Sequence, residues 1–156
     1  MRLKESVVIS APKQAVWDYV SDLDNFLHFM SGITRWDVDG DRSSGLGARR
    51  RMLIRVGSAE VGGLIEMVEW DEPDEFAWSS VTGVDQRGRF RLRDAGTSST
   101  RVELRYQYGV AGAGLAGWLS EHVAAPTLSR HLRTSLQQLK RLVEHEKLRA
   151  EAASRS

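Results

Sequence analysis

From Ile33 to Tyr108 apolar residues recur at every second position, and this alternation constrains the fold more than any other feature of the chain. A period of two puts successive side chains on opposite faces of an extended strand, so the sheet has one apolar and one polar face. Six strands are expected here: Ile33–Asp39, Ala48–Val56, Glu60–Trp70, Glu75–Val81, Gln86–Arg93 and Arg101–Tyr108. Turn chemistry separates them, at Asp39-Gly40-Asp41, Gly57-Ser58, Asp71-Glu72-Pro73-Asp74, Thr82-Gly83-Val84-Asp85 and Asp94-Ala95-Gly96. Connections this short join antiparallel neighbours. The last two strands carry the pattern most clearly. Gly88, Phe90 and Leu92 alternate with Arg87, Arg89, Arg91 and Arg93, and Val102, Leu104, Tyr106 and Tyr108 alternate with Arg101, Glu103, Arg105 and Gln107.

The flanks complete the layout. Leu3 to Ile9 also alternates, with Leu3, Val7 and Ile9 on one face. Ser10-Ala11-Pro12 opens a helix, and Val16, Trp17, Val20 and Leu23 have helical spacing, so this helix reaches about Val20. Asp22 or Asp24 caps a second, short helix through Phe26, Leu27 and Phe29, which Gly32 ends. After Gly109 the period is helical again, with an apolar stripe of Leu128, Leu132, Leu136, Leu139 and Val143. A helix from Thr127 to Arg149 would run ~35 Å. Pro126 either kinks it or marks its start, with Leu115 to Val123 forming an earlier turn or two.

The order is thus β-α-α-β6-α. It predicts an α+β fold, a curved seven-stranded antiparallel sheet wrapped around a long C-terminal helix. Residues 1–149 form one domain and residues 150–156 a frayed tail. Seven strands are wider than one helix, so a cavity is expected between them.

Composition narrows the function classes. Twenty-two basic against 21 acidic residues leave a net charge of +1, which argues against a nucleic-acid partner or a membrane-coating surface. There is no cysteine, which excludes disulfides, thiolate nucleophiles and cysteine-ligated metals. No apolar run approaches the ~20 residues of a membrane span, so no stable membrane insertion is expected. The start Met1-Arg2-Leu3-Lys4-Glu5-Ser6 places charge where a signal peptide needs its apolar core, and the expected location is cytoplasmic.

Motifs that suggest other chemistry fail on context. Gly112-Ala113-Gly114-Leu115-Ala116-Gly117 has the dinucleotide-binding spacing, but no second parallel strand ending in an acidic residue follows it. It reads as a flexible connection between the last strand and the long helix. Asp37-Val38-Asp39-Gly40-Asp41 resembles a calcium loop, yet Arg42 and Ala48 stand where glycine and glutamate are required. His28, His122, His131 and His145 include no i, i+4 pair. Neither metal nor cofactor is expected.

The chain resembles the START and polyketide cyclase/dehydratase superfamily, also called SRPBCC, which includes the major birch pollen allergen. The carrying residues are Val8-Ile9-Ser10-Ala11-Pro12-Lys13-Gln14-Ala15-Val16-Trp17, the following Val20-Ser21-Asp22-Leu23, and Val68-Glu69-Trp70-Asp71-Glu72-Pro73 leading into Phe76-Ala77-Trp78. Leu136 to Glu144 is similar to the family's closing helix. The resemblance implies a helix-grip fold that binds lipids, sterols, polyketides or other aromatic molecules between sheet and helix. It transfers no catalytic residue.

Three readings follow. The chain binds a hydrophobic or aromatic small molecule; or it is a polyketide aromatase/cyclase or dehydratase acting in that cavity; or it is a packed structural or interaction domain without ligand. The expected lining is Phe26, Phe29 and Met30 at the mouth, Met52, Ile54, Trp78, Phe90, Tyr106 and Tyr108 along the sheet, and Trp118, His122 and Leu132 on the helix. Trp17 and Trp70 are read as structural. Arg50, Tyr106, Tyr108 and His122 are the candidates for polarising a carbonyl or moving a proton. Glu5 and Arg50 share parity with apolar neighbours and, if inward, need partners. Glu66 and Glu69 have opposite parity, and a register shift at Gly62-Gly63 would decide which one faces inward. A monomer, or a homodimer through an edge formed by the first or second strand, is compatible with the pattern.

Overall fold

A computed structural model describes residues 2–109 and 121–156, the first four of the latter by their backbone only. Seven strands form one antiparallel sheet: β1 (Arg2–Ile9), β2 (Ile33–Asp39), β3 (Arg49–Val56), β4 (Ala59–Asp71), β5 (Glu75–Ser80), β6 (Gln86–Asp94) and β7 (Thr100–Tyr108). Between β1 and β2 lie α1 (Lys13–Val20), a 3-10 turn (Leu23–Asn25) and α2 (Phe26–Phe29), and the chain closes with α3 (Glu121–Ser154). This is the α+β helix-grip architecture.

The sheet order is β1-β7-β6-β5-β4-β3-β2. Strands β2 to β7 form the meander that their short turns dictate, while β1 crosses to pair with β7, Leu3 opposite Tyr106 and Val7 opposite Val102. The two sheet edges are therefore β1 and β2.

Burial follows the alternation. In β7 Val102, Leu104, Tyr106 and Tyr108 are buried and Arg101, Arg105 and Gln107 are exposed. Strand β6 buries Gln86, Gly88, Phe90 and Leu92 and turns Arg87 and Arg93 to solvent. Helix α3 packs chiefly along β1 and buries the whole stripe Leu128, Leu132, Leu136, Leu139 and Val143. Lys140 and Glu144 fasten it to the end of β1. The Lys140 ammonium donates to the Val8 carbonyl at 2.9 Å, and the Ser10 N–H donates to the Glu144 carboxylate at 3.1 Å. Burial works against the Glu144 charge, but these donors outweigh it and hold the carboxyl below its usual range.

Local details depart from the expected ones in three places. The register shift in β4 falls between Met67 and Glu69, whereas pairing with β3 runs unbroken through Gly62 and Gly63. That bulge turns both Glu66 and Glu69 outward, where they pair with Arg49 at 2.7 Å and Arg89 at 2.6 Å. Pro126 lies inside α3 and does not open it. Helix α3 also continues to Ser154, past the expected end at Arg149; its 34 residues make it ~51 Å long, and its last turns are exposed. The glycine-rich motif at 112–117 lies outside the described residues.

At α1 and the following turn the sequence rules act locally. Pro12 sits at the N-cap of α1, where its missing N–H costs nothing. Asp22 caps the 3-10 turn by accepting from the Asp24 N–H at 3.2 Å. Phe26 and Phe29 on α2 then point into the sheet, and the aromatic core grows around them.

Candidate functional site

Between the concave face of the sheet and α3 lies a pocket of about 20 Å³, enough for one water. Met30, Met52, Ile54, Trp78, Tyr106 and Leu132 line it. Ser31, Ile33, Leu104, Leu128, His131 and Ser135 line it as well. Apart from the two serines and the histidine, these added residues extend the same greasy surface.

The other expected lining residues sit elsewhere. Phe26, Phe29 and Phe90 are fully buried in the aromatic core and do not reach this pocket. The reason is geometric: α2 runs under the sheet, so its rings stack on Trp36 and meet Phe90 edge-on instead of opening to a cavity. Tyr108 is buried next to Tyr106 but does not line the pocket. Trp118 and the side chain of His122 lie outside the described residues. Trp17 packs edge-on against Trp70 and Phe76, within the core.

Polar groups on the inner face have specific partners. Arg50 is 2% exposed, with its guanidinium 2.9 Å from Asp24 and 2.7 Å from the Ser43 carbonyl, over the Trp36 ring. It ties the β2–β3 loop to the 3-10 turn and does not line the pocket. Its charge is therefore used structurally. Glu5 faces α3 and meets Arg133 at 3.5 Å. Tyr106 donates its hydroxyl to Gln86 Oε1 at 2.7 Å, and burial, with a smaller push from Tyr108, holds the phenol well above its usual range. It stays neutral.

Stability measurements test the structural role of Arg50. Asp24→Ala, which leaves the buried guanidinium only the Ser43 carbonyl, is expected to cost about 1–2 kcal/mol, whereas Arg50→Met should be neutral within about 1 kcal/mol because it removes the charge with its desolvation cost. Urea unfolding of both variants measures the difference.

Two features give the pocket chemical capability. The first is Trp78, 1% exposed, whose Nε1 has no hydrogen-bond partner among the described residues. Its indole packs directly against Gly88, where a Cβ would stand 2.0 Å from Cζ2. Only glycine permits that approach.

The second is a hydroxyl–imidazole pair. His131 Nε2 is 3.0 Å from the Arg55 carbonyl, which can only accept, so Nε2 carries the hydrogen. In the neutral ring Nδ1 then accepts from Ser31 Oγ, 3.1 Å away. Ser135 closes the network, accepting from the Ser31 N–H at 2.8 Å and donating to the His131 carbonyl at 2.6 Å. Gly32, at φ +87°, lets the turn after α2 ride directly on the His131 ring. A hydroxyl, a base and a group that orients the base are thus held at the pocket wall. Sequence spacing links only the helix members of this network, His131 and Ser135, which are four apart beside the apolar stripe of α3; nothing local links them to Ser31.

Solved structures share the architecture at low identity. The protein TTHA0849 of Thermus thermophilus is 21% identical with a TM-score of 0.76, the match covering 92% of this chain and 97% of that one. The Zhui aromatase/cyclase of Streptomyces sp. R1128 is 16% identical with a TM-score of 0.77, over 92% and 93% of the two chains. A START superfamily protein of Mycobacterium smegmatis is 13% identical with a TM-score of 0.61, over 93% and 95%. No curated protein matches the sequence. The family model described as polyketide cyclase/dehydrase and lipid transport matches residues 1–144, a span that holds the whole sheet and every residue lining the pocket. The chain belongs to that family.

Proposed function

We propose that this chain is a cytoplasmic protein that binds a hydrophobic or aromatic small molecule between the sheet and α3. The observation that supports this reading is the unpartnered indole N–H of Trp78 in the wall of an apolar pocket. A buried donor left unmet costs about 1–3 kcal/mol, and an acceptor on a ligand would recover it. Met30 and Met52 are unbranched and repack readily, so the wall can yield to a guest larger than a water. The family's description, which names both polyketide chemistry and lipid transport, agrees with such a guest.

Ser31 and His131 support a second reading, an aromatase/cyclase or dehydratase acting on a polyketide. There His131 would take a proton through the Ser31 hydroxyl while the pocket shapes the flexible chain.

Native mass spectrometry of freshly purified protein, followed by denaturing extraction, tests the first reading. A stoichiometric aromatic or lipid adduct is expected, and Trp78→Phe should weaken an oxygen-bearing aromatic ligand by about tenfold. A protein that purifies empty and leaves its tryptophan fluorescence unchanged across an aromatic and lipid panel would favour a packed domain without ligand. Turnover of a bound polyketide that Ser31→Ala or His131→Phe abolishes would favour the enzyme.

A further inference from the structure

A larger concavity lies on the opposite face of the sheet. It is a groove of about 660 Å³ across the outer surface of β1, β7, β6, β5 and β4. Strand pairing sets its side chains in two rows. One reads Arg2, Gln107, Arg87, Ser79, and the other Lys4, Arg105, Arg89, Ala77, Glu69. The floor is short, Ala77 and Ser79, and the longer side chains stand around it as walls. Ala77 is only 5% exposed although it faces outward.

The charge of this groove is not balanced. Five cationic side chains line it against one carboxylate, Glu69. Arg89 is held by Glu69 at 2.6 Å and Glu75 at 3.1 Å, Arg105 by Glu103, and Lys4 reaches Glu103 at 3.8 Å. Arg2 and Arg87 have no ion pair among the described residues. They flank Gln107 on neighbouring strands, so their backbones stand ~10 Å apart. In the second row Lys4 faces Arg105 and Arg105 faces Arg89, and like charges directly opposite one another destabilise a sheet. An anion seated between the rows would turn that repulsion into attraction.

The chemistry of the lining selects the anion. Guanidinium forks match the paired oxygens of phosphate, and Gln107 and Ser79 add neutral donors between them. Linked phosphates present such oxygens along the whole row, which a single carboxylate does not. The aromatic side chains Trp78, Phe90 and Tyr106 project to the other face, so nothing here stacks on a base. We propose that the outer groove is a binding site for a small multivalent oligophosphate, gripped by Arg2 and Arg87 across Gln107 and flanked by Lys4, Arg89 and Arg105. Trp78 and Tyr106 border both the groove and the interior pocket, but none of the groove's cationic residues lines that pocket, so the proposal stands independently of the function proposed there.

Isothermal titration with inorganic tripolyphosphate at low ionic strength tests the proposal. Saturable one-to-one binding that weakens steeply with salt is expected. The double variant Arg2→Ala/Arg87→Ala should bind at least about tenfold more weakly. Arg93→Ala/Arg101→Ala removes the same charge from the same face outside the groove, and should stay within about twofold of wild type. Arg87→Gln alone gives the same direction should the double variant fail to fold. The proposal falls if binding does not saturate, or if both double variants weaken equally, which would mean diffuse charge attraction. Tighter binding to an oligonucleotide or to anionic phospholipid vesicles than to tripolyphosphate would also overturn it.

Discussion

Truncating Phe26 to alanine is expected to cost about 3–5 kcal/mol of stability, the largest loss of any substitution considered for this protein. Phe26 is fully buried on a four-residue helix and sits at the centre of the aromatic core. Its ring stacks on Trp36 at 4.8 Å and 10°, and meets Phe29 at 5.3 Å, Phe90 at 5.8 Å and Trp78 at 6.0 Å edge-on. Deleting it removes the transfer energy of the ring and leaves a cavity that rigid aromatic neighbours fill poorly. Aromatic contacts in edge-on geometry add to the loss. Urea denaturation measures the effect. A loss under about 1 kcal/mol, coupled with weakened ligand binding, would return Phe26 to the pocket wall where its sequence position first suggested it.

The second large effect is expected at Gly88, where alanine should cost about 3 kcal/mol, at the upper end of overpacking. Gly88 lies between Trp78 and Tyr106 in one inward row of the sheet, and the Trp78 indole covers it. An added Cβ would meet Cζ2 at 2.0 Å and Cε2 at 2.2 Å, so the ring must leave its place. That displacement also moves the Nε1 donor, and ligand affinity should fall together with stability. The double variant Gly88→Ala/Trp78→Phe is expected to be more stable than Gly88→Ala alone, because the smaller ring makes room. Thermal melts of the two single variants and the double variant give the coupling. Strict additivity would mean that the ring and the glycine do not constrain one another.

These two sites show where reading from sequence stops. Strand alternation places Gly88 on the apolar face of the sheet, and Phe26 is expected at the mouth of a cavity. Neither pattern states what a side chain meets once inside. Phe26, Phe29 and Phe90 belong to the same apolar class as Met30, Met52 and Leu132, yet the first three close on one another and the second three border the pocket. The difference arises from the path of α2 beneath the sheet, which depends on contacts across more than sixty residues of chain, such as Phe26 with Phe90.

Arg50 illustrates the same division. Its parity with Met52 and Ile54 left an inward and a solvent-reaching position both open, and only an inward charge required a partner. Asp24 and the Ser43 carbonyl answer that requirement from two separate loops, and no local pattern links them. Ser31 and His131 are 100 positions apart and meet only because α3 returns across the turn after α2.

Local pattern settles the faces of the strands other than β4 and of α3, where the turns fall, and that one long helix must cover a curved antiparallel sheet. Periodicity and turn chemistry are local, so the residues themselves carry that information. Tertiary structure alone decided the pairing of β1 with β7, the bulge that turns both Glu66 and Glu69 outward, the partner of Arg50, and the division of inward residues between packed core and pocket. Each of these depends on how distant segments meet, and their free energy is written in contacts that no window along the chain contains.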